Sequence, residues 1–178
     1  MKKITSPISL SSIRSLKCGE LVYLSGKVFT ARDSAHKKML KEKKLPFEFE
    51  KSLVIFHAGP IMKKEEDGWK CISLGPTTSS RMNDSEPEAI RRFGIRAIVG
   101  KGGMGNEVLK AMKEKCVYLA FTGGCAAIGA SMVKRVVALH WPELGMAEGV
   151  WELEVEDFGP LIVAFDSKGK SLYKSGTG

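Results

Sequence analysis

The feature that most constrains this chain is a pattern in its second half, in which a short apolar run, a glycine-rich turn and a helical stretch follow one another. Residues 95–99 (Ile-Arg-Ala-Ile-Val) run into Gly100-Lys101-Gly102-Gly103-Met104-Gly105, a helix is expected over 106–115, and residues 117–121 return as a strand before Thr122-Gly123-Gly124. Strands that alternate with helices in this way pair in parallel, so the pattern predicts an α/β fold with a parallel element.

The first half has the same punctuation. Residues 21–29 read as a strand interrupted by Gly26 and closed by Thr30-Ala31-Arg32-Asp33, and Asp33 is a plausible N-cap for a helix over 34–44. Residues 52–56 form a buried-strand candidate that ends at His57-Ala58-Gly59-Pro60. The charged run 63–68 reads as a solvated turn, and 69–74 as a strand that delivers the chain to Gly75-Pro76-Thr77-Thr78-Ser79-Ser80-Arg81-Met82. Glu86-Pro87-Glu88 opens a helix that stops at Gly94, with acids in the first turn as the helix dipole favours. Small residues 125–130 continue into 131–140, read as an apolar helix ended by Pro142. Residues 148–156 and 161–165 close the chain as two β runs, and 174–178 read as a frayed end. No repeat or long linker interrupts the 178 residues, which predicts one domain over 1–178 with 1–20 and 174–178 peripheral.

Composition narrows the functional classes. No apolar run approaches the ~20 residues of a membrane span, and the Lys2-Lys3 start has no apolar segment behind it, so a cytoplasmic protein is expected. The formal net charge is +8, but the lysines lie in helix-like segments and do not alternate with aromatics, a pattern that suits a small acidic ligand better than nucleic acid. Cys18, Cys71, Cys116 and Cys125 form no Cys-x-x-Cys pair and no metal-ligand spacing.

Gly100 to Gly105 satisfies Gly-x-Gly-x-x-Gly between a strand and a helix. A dinucleotide site also wants an acid ~20 residues on to hold the ribose, and none stands between Cys116 and Pro142. The loop reads better as Lys101 and backbone N–H groups offered to a carboxylate. Thr77 and Arg81 are four apart and share a face if the chain coils after Pro76, while Arg32 supplies a second guanidinium suited to a carboxylate fork. Each has a structural alternative: a surface ion pair for Arg32, a helix cap for Arg81, turn hydrogen bonds for Thr77. His57 reads as a core or turn histidine and receives no catalytic role.

Taken together, Thr30-Ala31-Arg32-Asp33 with Ala35-His36, His57-Ala58-Gly59-Pro60, the 75–82 stretch, Gly100-Lys101-Gly102-Gly103-Met104 and Gly123-Gly124-Cys125-Ala126-Ala127 resemble the β subunit of class I fumarate hydratase, and equally its relative tartrate dehydratase. The resemblance covers about 21–165. It implies a swivelling β/β/α domain and a lyase subunit for reversible hydration of fumarate to malate. In the family a [4Fe–4S] cluster is ligated by the partner α subunit and not by this chain, within an (αβ)2 hetero-oligomer. By position Thr77 resembles the proton-transferring threonine, and Arg32, Arg81 and Lys101 the substrate-carboxylate ligands. Tartrate dehydratase is the enzyme alternative, and a non-catalytic nucleotide or nucleic-acid module the alternative of another class. One departure stands out: Asn83 occupies a position where the family usually has Asp, leaving Asp84 as a substitute support for Arg81.

Overall fold

In the computed structural model, which describes residues 1–47 and 52–173, the alternating apolar runs become a parallel sheet. Strands β1 (Lys2–Thr5), β2 (Leu21–Thr30), β3 (Leu53–Phe56), β6 (Ile95–Gly100) and β7 (Val117–Ala120) are all parallel neighbours in that order. The antiparallel strands β9 (Val150–Phe165) and β8 (Val133–His140) complete the sheet. Because β9 also pairs with β2, strands β2, β3, β6, β7 and β9 curl into a partial barrel. A separate antiparallel hairpin is made by β4 (Ile61–Glu65) and β5 (Gly68–Ser73).

Both faces of the central parallel strands β3, β6 and β7 are buried, and for that reason they read as nearly continuous hydrophobic runs. Val22, Leu24, Val54, Phe56, Val99, Leu119, Leu153 and Phe158 belong to one core cluster. Their neighbours Phe29, Ile55, Ile98 and Tyr118 belong to a second one, beneath α2 (Asp33–Lys41), α3 (Glu86–Phe93) and α4 (Asn106–Met112). The helix α3 stops where expected, because Gly94 takes a left-handed conformation (φ 63°) that ends the helix without a Cβ clash.

Several expectations are corrected. Residues 132–140 are not helical: α5 (Ala126–Ser131) is capped at Met132 and β8 follows, where β-branched Val133, Val136 and Val137 suit a strand and Arg135 pairs with Glu154 of β9. The charged run 63–68 is mostly ladder, with Lys63, Lys64 and Glu65 paired across the hairpin to Lys70, Trp69 and Gly68. Charges are accommodated there because that strand is exposed on most of its length. Asp33 lies within α2, whose N-cap position is Arg32, and the helix stops at Lys41. The two closing β runs are one strand that bends at Asp157 and Gly159, both at positive φ. Within the first twenty residues β1 forms one edge of the sheet, while α1 (Leu10–Ser15) and its sequel bury Ile13 and Leu16 in the core. The expected frayed end at 174–178 lies outside the described residues.

Candidate functional site

The carboxyl ends of parallel strands are where α/β sheets present ligand loops, and the singled-out stretches gather at this edge. Arg32 follows β2, His57 follows β3, Lys101 follows β6 and Cys125 follows β7. Main-chain bonds bring in the 75–82 stretch, which comes from the hairpin. The Thr77 N–H donates to the His57 carbonyl at 2.6 Å, Ala58 bridges Pro76, and the Ser79 N–H donates to the Lys101 carbonyl at 3.0 Å beside a Thr78–Lys101 bridge.

Sequence proximity misjudged one relation. The coil after Pro76 begins only at Ser79, a short 3-10 turn over Ser79–Met82, so Thr77 lies outside it and is placed by the bridge to β3. Thr77 is half-buried, and no hydrogen bond to its hydroxyl is formed among the described residues. Lys101 is also half-buried, and its ammonium meets no carboxylate among them. Arg32 lies across Gly59, where a Cβ would stand 2.6 Å from Nη1, and its Nε is 3.4 Å from Glu148. Gly59 is therefore the cradle of that guanidinium.

Arg81 is held by an acid that the sequence reading passed over. Its Nε donates to Asp33 Oδ1 at 3.1 Å and its Nη2 lies 3.0 Å from Oδ2, so Asp33 supplies the support assigned to Asp84. With Arg81 half exposed, such a pair is worth ~1 kcal/mol or less, and an incoming carboxylate can compete for the fork. Asn83 instead accepts the Gly105 N–H at 2.9 Å and fastens the turn to the glycine loop.

Beneath these loops lies a buried polar network. His36, His57, Ser79 and Glu86 are all fully buried. Glu86 Oε2 is 2.9 Å from Nε2 of both His36 and His57. His36 Nδ1 is 2.9 Å from the Arg32 carbonyl, and His57 Nδ1 is 2.8 Å from Ser79 Oγ. The Tyr118 hydroxyl lies 3.0 Å from Ser79 Oγ and 2.9 Å from the Gly102 carbonyl. The expectation that His57 is a core histidine holds. Glu86 was read as a first-turn dipole acid, but 86, 89, 90 and 93 form the buried face of α3, and that helical spacing was the available signal.

The electrostatics follow from burial and mutual charge. Burial alone would raise the Glu86 carboxyl, but the two imidazoles outweigh it and hold the group far below the ordinary carboxylate range. Burial lowers both histidines; at His36 the Glu86 charge, the Arg32 carbonyl and Asp33 reverse this and leave it raised, whereas His57 stays lowered, with His36 opposing its protonation. Stability from Glu86 is thus complete above about pH 4.5 and lost as the pH falls below it. That from His36 is complete below about 6.5 and lost as the pH rises through its raised value. His57, which resists protonation when folded, costs stability as the pH falls below about 6.5. Urea midpoints measured from pH 4 to 9 are expected to peak near neutrality with a steep acid limb, and a flat profile would contradict this assignment.

His36, His57 and Glu86 are also a group whose ligand atoms converge within 4.8 Å, the geometry of a metal site; His36 Nδ1 and both His57 nitrogens face hydrogen-bond partners, whereas His36 Nε2 and Glu86 Oε1 make no hydrogen bond among the described residues. The cysteines do not fit an iron–sulfur cluster. All four are free and stand in separate segments. Burial raises the thiols of Cys18 and Cys116 and pushes Cys71 up to about 11, opposite to the thiolate a cluster ligand must be. A separate concavity, lined by Phe29, Leu53, Lys43, Lys44, Arg92 and Arg135 among others, contains none of Arg32, Thr77, Arg81 or Lys101. No helix among the described residues is long and apolar enough to cross a membrane.

Fold and site therefore define a small mixed α/β domain with a partial barrel that offers cationic and hydroxyl side chains at the carboxyl edge of its sheet. The chain belongs to the Fumarase C-terminus family, whose model matches residues 2–176. It is 53% identical over 180 residues to a protein of Methanocaldococcus jannaschii provisionally named L(+)-tartrate dehydratase subunit beta, covering 98% of this chain and 92% of that one. To the L(+)-tartrate dehydratase subunit beta of Escherichia coli it is 41% identical, covering 97% and 87%. A provisionally named class I fumarate hydratase of Geobacillus stearothermophilus is 39% identical over 96% of this chain, which matches 33% of that longer protein.

Proposed function

We propose that this chain is the β subunit of an iron–sulfur hydro-lyase that adds water to, or removes it from, a four-carbon dicarboxylate. The observation that carries this reading is the convergence of Arg32, Thr77, Arg81 and Lys101, from three separate stretches, on one rim of the sheet. Family membership over nearly the whole chain supports it, as do the names of the relatives, and the swivelling β/β/α assignment belongs to the same proposal. A [4Fe–4S] cluster held by the α subunit supplies the electrophile for the departing hydroxyl when bound. This chain's own part is to bind and to move a proton.

In this reading Lys101 and the Arg32 guanidinium neutralise the substrate's carboxylates. Arg81 exchanges part of its Asp33 fork for a carboxylate oxygen, and the unpaired Thr77 hydroxyl transfers the proton at carbon. A threonine hydroxyl is a weak base, so a carboxylate from the α subunit must activate it. Ile61, Ile72 and Ile128, exposed on the hairpin and on α5 beside it, provide apolar area for that partner within an (αβ)2 assembly.

Fumarate and L(+)-tartrate ask the same of these residues. The sequence resemblance put fumarate first; the two tartrate-named relatives, at 53% and 41% identity, favour tartrate. Comparing kcat/KM on both substrates for the complex with its α partner decides between them. Arg81→Lys in that complex is expected to raise KM for the preferred dicarboxylate ~10-fold, because a point charge replaces a planar fork; unchanged kinetics would remove Arg81 from the carboxylate site.

The nucleotide and nucleic-acid reading loses support from the same geometry. The first glycine of the Gly-x-Gly-x-x-Gly sits against Ser79, Tyr118 and His57. Many surface lysines, among them Lys2, Lys3, Lys27, Lys38 and Lys134, already pair with acids.

A further inference from the structure

The buried network touches the main chain of every loop that carries a candidate ligand. His36 Nδ1 faces the Arg32 carbonyl, which also takes the His36 N–H at 2.9 Å. The His57 carbonyl holds the Thr77 N–H, and its side chain meets Ser79, whose N–H holds the Lys101 carbonyl. Tyr118 fastens the Gly102 carbonyl next to Lys101. The two halves of this frame, α2 with Arg32 and the turn with the glycine loop, are joined through side chains at a buried atom, Glu86 Oε2, and nearer the surface by the Asp33–Arg81 fork.

Hydrogen accounting shows why a carboxylate is needed there. The Arg32 carbonyl only accepts, so His36 Nδ1 carries a proton, and Nε2 facing Glu86 is a donor only when His36 is a cation. His57 presents Nε2–H to the same oxygen and takes the Ser79 hydroxyl proton at Nδ1. A carboxylate oxygen has lone pairs for both rings and also supplies the charge opposite to a cationic His36 in a site closed to water.

We infer that Glu86 is the positioning residue of the dicarboxylate site: without touching substrate, it clamps His36 and His57 and so fixes Arg32, Thr77 and Lys101 relative to one another. The inference rests on the functional reading above. A misplacement near 1 Å costs ~10²-fold in rate, so a hub of this kind acts through geometry alone.

The test uses the complex with its α subunit, with Glu86→Gln, Glu86→Asp and Tyr118→Phe beside the wild type. Glu86→Gln is expected to keep assembly and cluster content while lowering kcat/KM about 10- to 100-fold, with Glu86→Asp recovering part of it. Tyr118→Phe frees only the glycine-loop end and is expected to raise KM several-fold with kcat changed less. In ¹⁵N spectra of the wild-type chain at pH 6.5, His36 should be mainly doubly protonated and His57 mainly an Nε2–H tautomer. Wild-type kcat/KM in Glu86→Gln, or stoichiometric divalent metal in the wild type, would overturn the inference. If Glu86→Gln does not fold, Tyr118→Phe carries the test, and an unchanged KM overturns it. If the wild-type complex turns over neither fumarate nor tartrate, the functional reading fails by itself. The hub is then judged from the amide shifts of Arg32, Thr77 and Gly102 in Glu86→Gln, which must move if it is real and stay fixed if it is not.

Discussion

Gly100→Ala is expected to unfasten the site and to destabilise the whole domain, although the residue sits at the head of a loop that invites reading as a nucleotide motif. A Cβ there would stand 2.0 Å from Ser79 Oγ, 3.1 Å from the Tyr118 hydroxyl and 3.3 Å from His57 Nδ1. None of these neighbours has room to withdraw: Ser79 and His57 are fully buried, and Ser79 is tied to the Lys101 carbonyl by its own amide. Either the serine is driven off its two partners or β6 shifts away from β7. Overpacking costs ~1–3 kcal/mol and a buried polar group left without its partner a similar amount. A loss of about 3 kcal/mol is therefore expected, seen as a Tm lower by ~6–12 °C for a chain of this size. A Tm within a degree of wild type would show that the contact is not tight.

Thr77→Ala is expected to lower turnover in the αβ complex by ~10²–10⁴-fold, the usual worth of a positioned proton-transfer group, with KM nearly unchanged. Among the described residues the hydroxyl is unpaired, while the residue's place is fixed by its main-chain bond to His57 and the neighbouring Pro76–Ala58 bridge. Alanine preserves both anchors. Stability and assembly should survive, which separates this variant from Gly100→Ala, where activity and stability fall together. Stopped kinetics on the preferred dicarboxylate with matched cluster content provides the comparison; wild-type kcat would remove Thr77 from the chemistry.

What could be read in advance follows from how each signal is encoded. The central parallel strands β3, β6 and β7 were legible because they are buried on both faces, and a run such as Leu53 to Phe56 has little else to become. The residues 133–140 were not, since their apolar positions fit either period and only pairing with β9 settles the matter. Candidate ligands in turns announced themselves by residue type at strand ends. Their supports did not: Asp33 is 48 positions from Arg81, and Glu86 is 50 from His36 and 29 from His57. Such pairings are properties of the folded topology. Even so, helical spacing put Glu86 in line with Ala89, Ile90 and Phe93, and a carboxylate on an apolar face was a sign that a buried partner existed.

The central claim is that this chain supplies the binding and proton-transfer half of a hydro-lyase and needs a cluster-bearing subunit for the rest. Its most direct test is anaerobic turnover of fumarate and of L(+)-tartrate by the chain alone and by the chain co-purified with its α subunit. Turnover of one of these dicarboxylates in the complex, and none by the chain alone, is the predicted result. A cluster-loaded complex that turns over neither substrate would contradict the account.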